Sequence, residues 1–178
     1  MQRSFVRVLG ALIMVGAVLS CDDDDEPTGP DLTIENFTAT LTGAAERPTP
    51  NASTATGTAE ITRIGPTLAF KVDVVGLSNP SAAHIHAPAD TANSAGVRVN
   101  LCGATGVPAC PTGTPFTGTL TLGNANAISG MTFDSLMVLL RNGNAYVNVH
   151  TNDNVGAANT GPGDLAAGEI RGQIEVAP

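Results

Sequence analysis

The stretch Phe70-Lys71-Val72-Asp73-Val74 alternates strictly between apolar and charged residues. Successive side chains of a β-strand point to opposite faces, so as a strand this stretch presents one apolar and one polar face. Other stretches with the same alternation are separated by turn-forming Gly, Pro and Asn residues, and they begin at Phe37, Val97, Phe116 and Ile170. This pattern predicts an all-β protein whose antiparallel strands form a sandwich or a partly closed barrel.

One segment departs from the alternation. Between Phe133 and Leu140 the apolar residues recur at spacings of three and four, with Thr132 before them and Gly143 after them. This spacing predicts a short helix that begins behind a Thr N-cap, stops at a glycine and closes one end of the structure. The polar, glycine-rich segment 152–165 is predicted to be a long loop.

The N-terminus has the organisation of a signal peptide. Arg3 and Arg7 precede an uncharged apolar stretch that is shorter than the roughly 20 residues needed by a membrane-spanning helix. The stretch ends in Val18-Leu19-Ser20-Cys21, which resembles the lipobox of bacterial lipoproteins, where the cysteine is lipidated and becomes the mature N-terminus. We expect a lipoprotein signal peptide over 1–20 and a lipid on Cys21. An ordinary signal peptide with an incidental cysteine is the alternative.

An acidic run follows this cysteine. Asp22–Glu26 consists entirely of acids, and a segment with Pro and Gly comes next. Like charges repel and resist burial, so 21–33 is predicted to be a lipidated, solvated tether, with calcium binding by the run as the alternative. The remainder, 34–178, has the length of one domain. These features predict a lipoprotein anchored to a membrane of the bacterial cell envelope, facing either the periplasm or the cell surface.

Charge and composition argue against several classes of function. The chain has 8 Lys and Arg against 16 Asp and Glu, a net charge of −8, so it lacks the basic surface that nucleic-acid binding requires. It contains no G-x-S-x-G elbow, no P-loop and no dinucleotide fingerprint. One Tyr and no Trp leave little aromatic lining for a sugar-cleaving cleft. We predict that the protein is not an enzyme, with weak metal-dependent redox activity left open.

Two cysteines lie close together in the predicted domain. Cys102 and Cys110 bracket a short segment rich in small residues. Because an exported chain folds in an oxidising compartment, the two thiols are predicted to form a disulfide that pins the end of a strand. A redox-active or metal-binding thiolate pair is the alternative, although it would need a spacing closer to C-x-x-C.

All three histidines lie in two predicted strands. His84 and His86 are separated by one residue and share a strand face, while His150 shares a face with Tyr146 and Asn148. If the two strands adjoin, three imidazole nitrogens meet at one point. That is the arrangement of a mononuclear copper or zinc site completed by water or a carboxylate. The alternative is structural: the histidines hydrogen-bond the backbone and polar neighbours beneath the long loop.

Four ordered blocks resemble the signature of the CHRD domain family, first recognised as repeats in chordin and widespread in exported bacterial proteins. The blocks are Leu41–Pro48, His84–Ala89, Tyr146–Thr151 and Gly168–Ile174. The resemblance implies an all-β fold, an antiparallel immunoglobulin-like or superoxide-dismutase-like β-sandwich, here with one short helix. It implies no particular activity. Arg47 and the cysteine-bracketed insertion depart from the usual pattern.

The polar positions within these blocks are Glu46, Asn148, Glu169 and Arg171. Glu169 and Arg171 are two residues apart on one predicted strand, which favours a surface ion pair or a clasp on a loop over an acid–base pair. The His-x-His spacing also resembles part of the copper site of copper–zinc superoxide dismutases. Those sites use more histidines than the three of this chain, so a dismutase of the usual kind is not expected.

Two functions remain open. The first is a lipid-anchored binding or structural module of the envelope without catalytic activity, whose partner, besides the membrane, is a protein or a glycan. The second is a mononuclear copper- or zinc-binding protein that uses His84, His86 and His150. They differ in whether the three rings converge within coordination distance of one point.

Overall fold

The computed structural model describes residues 33–112, 116–121 and 128–178, the second range by its backbone alone. The predicted signal peptide (1–20), the predicted lipidation site Cys21 and all but the last residue of the predicted tether (21–33) lie outside these residues. Among the described residues, no helix combines the length and the apolar character needed to cross a membrane.

The described residues form nine strands and one α-helix. The strands are β1 (Ile34–Thr42), β2 (Thr56–Ile64), β3 (Thr67–Val75), β4 (Pro80–His86), β5 (Val97–Cys102), β6 (Phe116–Thr121), β7 (Tyr146–Thr151), β8 (Ile170–Gln173) and β9 (Glu175–Val176). The helix α1 (Phe133–Arg141) lies between β6 and β7, and a short 3-10 turn (Gly43–Ala45) follows β1.

The strands form a single antiparallel sheet. Its order is β5-β4-β7-β8-β1-β2-β3-β6, with β9 alongside β1. The sheet curls into a half-barrel, which is consistent with an all-β sandwich fold. The prediction of an all-β, antiparallel fold with one short helix is therefore confirmed. In this order β4, β7 and β8, which carry three of the four signature blocks, are direct neighbours.

The core collects the apolar positions of the alternating strands. In β3, Phe70 and Val72 are buried while the residues on either side of them are partly exposed. The helix adds Leu136 and Leu140, which are fully buried in the same cluster. Burying each such side chain stabilises the fold by about 1.5–3 kcal/mol, so these alternating positions supply much of the stability.

The helix has the predicted boundaries. The hydroxyl of Thr132 accepts a hydrogen bond from the backbone N–H of Ser135 at 3.2 Å, which is an N-cap. The helix ends at Arg141, and Gly143 follows with a φ of 64°, a conformation that favours glycine. Arg141 also pairs with Glu35 at 2.6 Å, which fastens the end of the helix to β1.

Two features of the sheet differ from the sequence-based expectation. The alternation did not single out β2, because its inward positions include Gly57 and Ala59, whose small side chains give a weak apolar signal. The continuous strand expected from Ile170 to Val176 is interrupted at Ile174, whose N–H instead donates to the carbonyl of Ala145 at 2.9 Å.

Candidate metal centre

The pairing of β4 with β7 brings the three histidines together. In the antiparallel register His84 lies opposite Asn148, two residues before His150. The ring centroids of His84 and His150 are 4.9 Å apart, and that of His86 lies 5.5 and 5.9 Å from them. One nitrogen from each ring lies within 4.8 Å of the other two. An ion at about 2.0–2.1 Å from each of three nitrogens needs them about 3.3–3.6 Å from one another, so ring shifts of about 1 Å would complete the site.

Backbone carbonyls of the covering loops orient two of the rings. Nδ1 of His86 lies 2.9 Å from the carbonyl oxygen of Ala95, and Nδ1 of His150 lies 3.0 Å from that of Ala166. A carbonyl only accepts, so in the neutral rings both Nδ1 atoms donate and both Nε2 atoms carry lone pairs. Metal-binding histidines are commonly oriented by such bonds.

Three of the four remaining ring nitrogens lack a hydrogen-bond partner in the described part of the chain. Nε2 of His86, Nε2 of His150 and Nδ1 of His84 are buried, and none has a hydrogen-bond partner among the described residues. A buried polar atom without a partner costs roughly 1–3 kcal/mol. These three atoms belong to the three residues whose nitrogens converge, so one bound cation would satisfy all of them.

Burial lowers the pKa of all three imidazoles. Desolvation, the largest cause, and the neighbouring His150 together lower the pKa of His84 and that of His86 to about 4. Burial also lowers the pKa of His150, against the raising effect of its bond to the Ala166 carbonyl. The three rings are therefore uncharged at neutral pH, which is the form that coordinates metals.

The chain's single tyrosine forms one wall of the cluster. The ring of Tyr146 stacks on that of His86, with centroids 4.8 Å apart and an interplanar angle of 4°. Its hydroxyl lies 3.1 Å from the N–H and 3.3 Å from the carbonyl of Ala95. From β8, the guanidinium carbon of Arg171 lies 3.6 Å from the centroid of the Tyr146 ring, a cation–π contact.

Three motif residues form a second polar group beside the imidazoles. Asn148 lies opposite Arg171 in the pairing of β7 with β8, and it donates to Glu46 Oε2 at 3.4 Å. Burial raises the pKa of Glu46 to about 7, although the nearby Arg171 lowers it. A Cβ at Gly168 would lie 2.6–2.9 Å from atoms of Asn148 and Glu46, and the φ of this residue is 133°, so the position requires glycine.

Glu169 holds loops together and does not pair with its strand neighbour. It is 1% exposed and accepts hydrogen bonds from Ser53 Oγ at 2.6 Å, Thr151 Oγ1 at 2.6 Å and the N–H of Gly163 at 2.7 Å. The prediction that it clasps a loop is confirmed. The alternative, a surface ion pair with Arg171, is wrong because both side chains are buried and bond to other groups.

The two cysteines of the domain are joined. Cys102 and Cys110 form a disulfide with a Cα–Cα distance of 4.9 Å. Cys102 ends β5, directly opposite Ala83 of β4, so the disulfide braces the strand beside the histidines. The predicted disulfide is confirmed, and neither sulfur serves as a thiolate ligand in this form.

Sequence reasoning did not select three contributors to the centre. Tyr146 was assigned to the histidine face, and its position two residues before Asn148 was the signal that it belongs to the cluster. Ala95 and Ala166 contribute only backbone carbonyls, which any residue supplies. No sequence pattern marks them, because the loop path alone brings these carbonyls to the rings.

Comparison with known proteins identifies the family of the domain. No curated protein matches the chain. The family model of the CHRD domain matches residues 37–174, a range that contains every residue of the centre described above. Domains of this family are generally non-enzymatic binding or structural modules. The match covers most of the chain, and the four signature blocks converge on one polar cluster. The chain therefore belongs to the CHRD domain family.

Proposed function

We propose that this chain is a lipid-anchored binding module of the bacterial cell envelope, and that the ligand of its domain is a single copper or zinc ion. His84, His86 and His150 would supply the ligand atoms. One observation carries the proposal: each of the three rings has a buried nitrogen that no group of the described residues hydrogen-bonds, and these rings are the ones that converge. Imidazole nitrogen suits both metals.

The alternative, a purely structural histidine cluster, fits the hydrogen bonds less well. Structural histidines satisfy their buried nitrogens with the backbone or with polar side chains. Here two rings use one nitrogen each for a loop carbonyl, and the other nitrogen of each is buried with no hydrogen-bond partner among the described residues. A loop-fastening role accounts for the Nδ1 atoms of His86 and His150 and leaves the converging atoms unexplained.

Three protein ligands leave a coordination position for a water molecule or an external ligand. This chain supplies two things to such a centre: uncharged nitrogens, and loops that fix the direction of two lone pairs. The CHRD family consists generally of non-enzymatic modules, and storage or transfer of the ion needs no further catalytic group.

Metal content of the full chain, measured by mass spectrometry after production in an oxidising compartment, tests the proposal. We expect close to one copper or zinc per chain, and its loss in a folded His84→Ala, His86→Ala, His150→Ala variant. Asn100→Ala is the matched control, because Asn100 lies opposite His84 on β5 and carries no imidazole. Failure of the parent chain to retain either ion after loading would refute metal binding.

The lipid anchor is a separate part of the proposal. It is supported by the lipobox-like Val18–Cys21 and the acidic segment that follows. Two acyl chains would hold the protein stably on a membrane, whereas one binds only marginally. Cys21→Ser should move the protein from the membrane fraction to the soluble fraction and abolish labelling by a radioactive fatty acid. Unchanged labelling in this variant would exclude Cys21 as the lipidation site.

A further inference from the structure

The three histidines offer a bound ion no negatively charged ligand within the described residues. The converging group contains three neutral imidazoles and, within the described residues, no carboxylate or thiolate. The two cysteines of the domain form a disulfide with each other. The protein ligands therefore leave the charge of a bound ion uncompensated in a buried place. The cost of burying an ion rises steeply with its charge.

The nearest buried cation adds to this cost. Arg171 is 2% exposed, and its guanidinium contacts the Tyr146 ring that stacks on His86. The Tyr146 ring lies between this cation and the metal-binding face, with its centroid 3.6 Å from the guanidinium carbon and 4.8 Å from the centroid of His86. Coulomb repulsion scales with the product of the charges, so it opposes a divalent ion twice as strongly as a monovalent one.

Glu46 supplies a negative charge that opposes the positive charge of Arg171, but it neutralises that charge only in part. The Glu46 carboxylate is buried and accepts a hydrogen bond from Asn148. Among the described residues, it forms no ion pair with Arg171. One oxygen of Glu46 and one guanidinium nitrogen of Arg171 are each buried without a partner. Burial makes ionisation of Glu46 costly, so it offsets the Arg171 charge only in part.

We infer that the three-histidine site is selective for monovalent copper, Cu(I), over zinc, and that Arg171 is the residue that sets this selectivity. The inference rests on the proposed metal binding and names the ion. Cu(I) brings half the charge of Zn(II), and three nitrogen donors complete a trigonal coordination shell for it. Zn(II) on three neutral ligands keeps an open position that a water or an anion must fill.

Competition with chromophoric chelators of known affinity tests the inference on the full chain. Cu(I) is measured without oxygen and with ascorbate, which leaves disulfides intact, and Zn(II) is measured in parallel. We expect the parent chain to bind Cu(I) more tightly than Zn(II). Arg171→Gln should raise Zn(II) affinity by roughly tenfold and Cu(I) affinity by only about threefold, because the repulsion scales with ion charge.

Two further variants separate charge from structure. Arg171→Lys keeps the charge and should keep the ratio of the two affinities within about threefold of the parent. Glu46→Gln removes the counter-charge and should lower Zn(II) affinity more than Cu(I) affinity. If Arg171→Gln does not fold, this variant tests the same dependence of affinity on the charge of the ion. Lys71→Gln, a change at a partly exposed residue of β3, is the control.

The outcomes are distinguishable. Zn(II) binding as tight as or tighter than Cu(I) in the parent chain would overturn the selectivity while leaving metal binding intact. An unchanged affinity ratio in both folded charge variants would remove Arg171 and Glu46 as its cause. Absence of binding for both ions would overturn the proposed function itself.

Discussion

His86 and Tyr146 share a backbone oxygen. Their rings lie parallel with centroids 4.8 Å apart, and both His86 Nδ1 and the Tyr146 hydroxyl bond to the carbonyl of Ala95. The hydroxyl also accepts from the N–H of the same residue. Tyr146 thus holds the Ala95 carbonyl in place, and this carbonyl sets the direction of the lone pair on His86 Nε2. Tyr146 is not a ligand itself. Residues in this position are commonly as important for metal affinity as the ligands.

Tyr146→Phe should therefore weaken metal binding while the fold persists. The substitution keeps the ring that stacks on His86 and removes only the two hydrogen bonds to Ala95. We expect the dissociation constant of the metal to rise by about tenfold or more, measured by chelator competition.

Ser94→Ala is the control for this change. Its hydroxyl fastens the same loop by a bond to the carbonyl of Arg47 at 2.9 Å, away from the rings. We expect it to change the affinity by less than about twofold. Equal effects of the two variants would mean that general loosening of the loop, and not the orientation of His86, controls affinity.

The faces of the strands were predictable from sequence, whereas their partners were not. Period-2 alternation placed His84 and His86 on one face and His150 on the polar face of its own strand, and the structure confirms both. Their convergence depends on β4 pairing with β7, which is more than fifty residues further along the chain. Alternation sets the face of a residue but contains no information about which strand lies beside it.

The strand β2 was not predicted from the sequence, because close packing leaves one of its inward positions without room for a side chain. A Cβ at Gly57 would lie 2.8 Å from the carbonyl oxygen of Asp73 and 3.3 Å from Ile170, so this inward position has no room for a side chain. Hydrophobic periodicity fails where backbone packs against backbone, because the residue that fits best there has no apolar side chain. The buried Ile61 alone was too weak a signal.

Glu169→Gln should destabilise the fold strongly for a single-atom change. The carboxylate accepts from Ser53, Thr151 and Gly163 on its two oxygens. An amide presents N–H groups on one side, so at least one of these donors loses the acceptor that it has in the parent chain. We expect a loss of roughly 2–3 kcal/mol in the free energy of unfolding, measured by urea denaturation.

The control for Glu169→Gln is Glu175→Gln, an exposed residue on β9 that should change stability by less than about 0.5 kcal/mol. A loss below about 1 kcal/mol for Glu169→Gln would show that the three hydrogen bonds are replaceable.

Removal of the disulfide should lower stability without affecting the metal. Cys102 and Cys110 are separated by 8 positions, and cross-linking so short a loop stabilises a protein by about 2–3 kcal/mol in chain-entropy models. A Cys102→Ala, Cys110→Ala variant should show this loss by thermal denaturation and keep its metal content, because neither sulfur is a ligand. Loss of metal from the folded variant would show that the brace on β5 also positions His84.

Acid should destabilise the metal-free protein well before most carboxylates titrate. His84 and His86 have a pKa of about 4 in the folded state against 6.5 ordinarily, so the unfolded state binds their protons first. Their contribution to the free energy of unfolding is fully present above about pH 6.5 and is lost as the pH falls towards 4. At pH 5 we expect a loss on the order of 2 kcal/mol per ring, measured by urea denaturation of chelator-treated protein.

Over part of this pH range, the titration of Glu46 changes the stability of the fold in the opposite direction. Glu46 is therefore the control for the effect of acid on the histidines. Its pKa is raised to about 7, so it destabilises the fold as the pH rises from its ordinary value of 4.5 towards 7. Glu46→Gln should therefore be more stable than the parent chain at pH 8, and its stability should fall more steeply from pH 6.5 to 5. If His86→Leu leaves the acid sensitivity unchanged, the buried imidazoles are not its source.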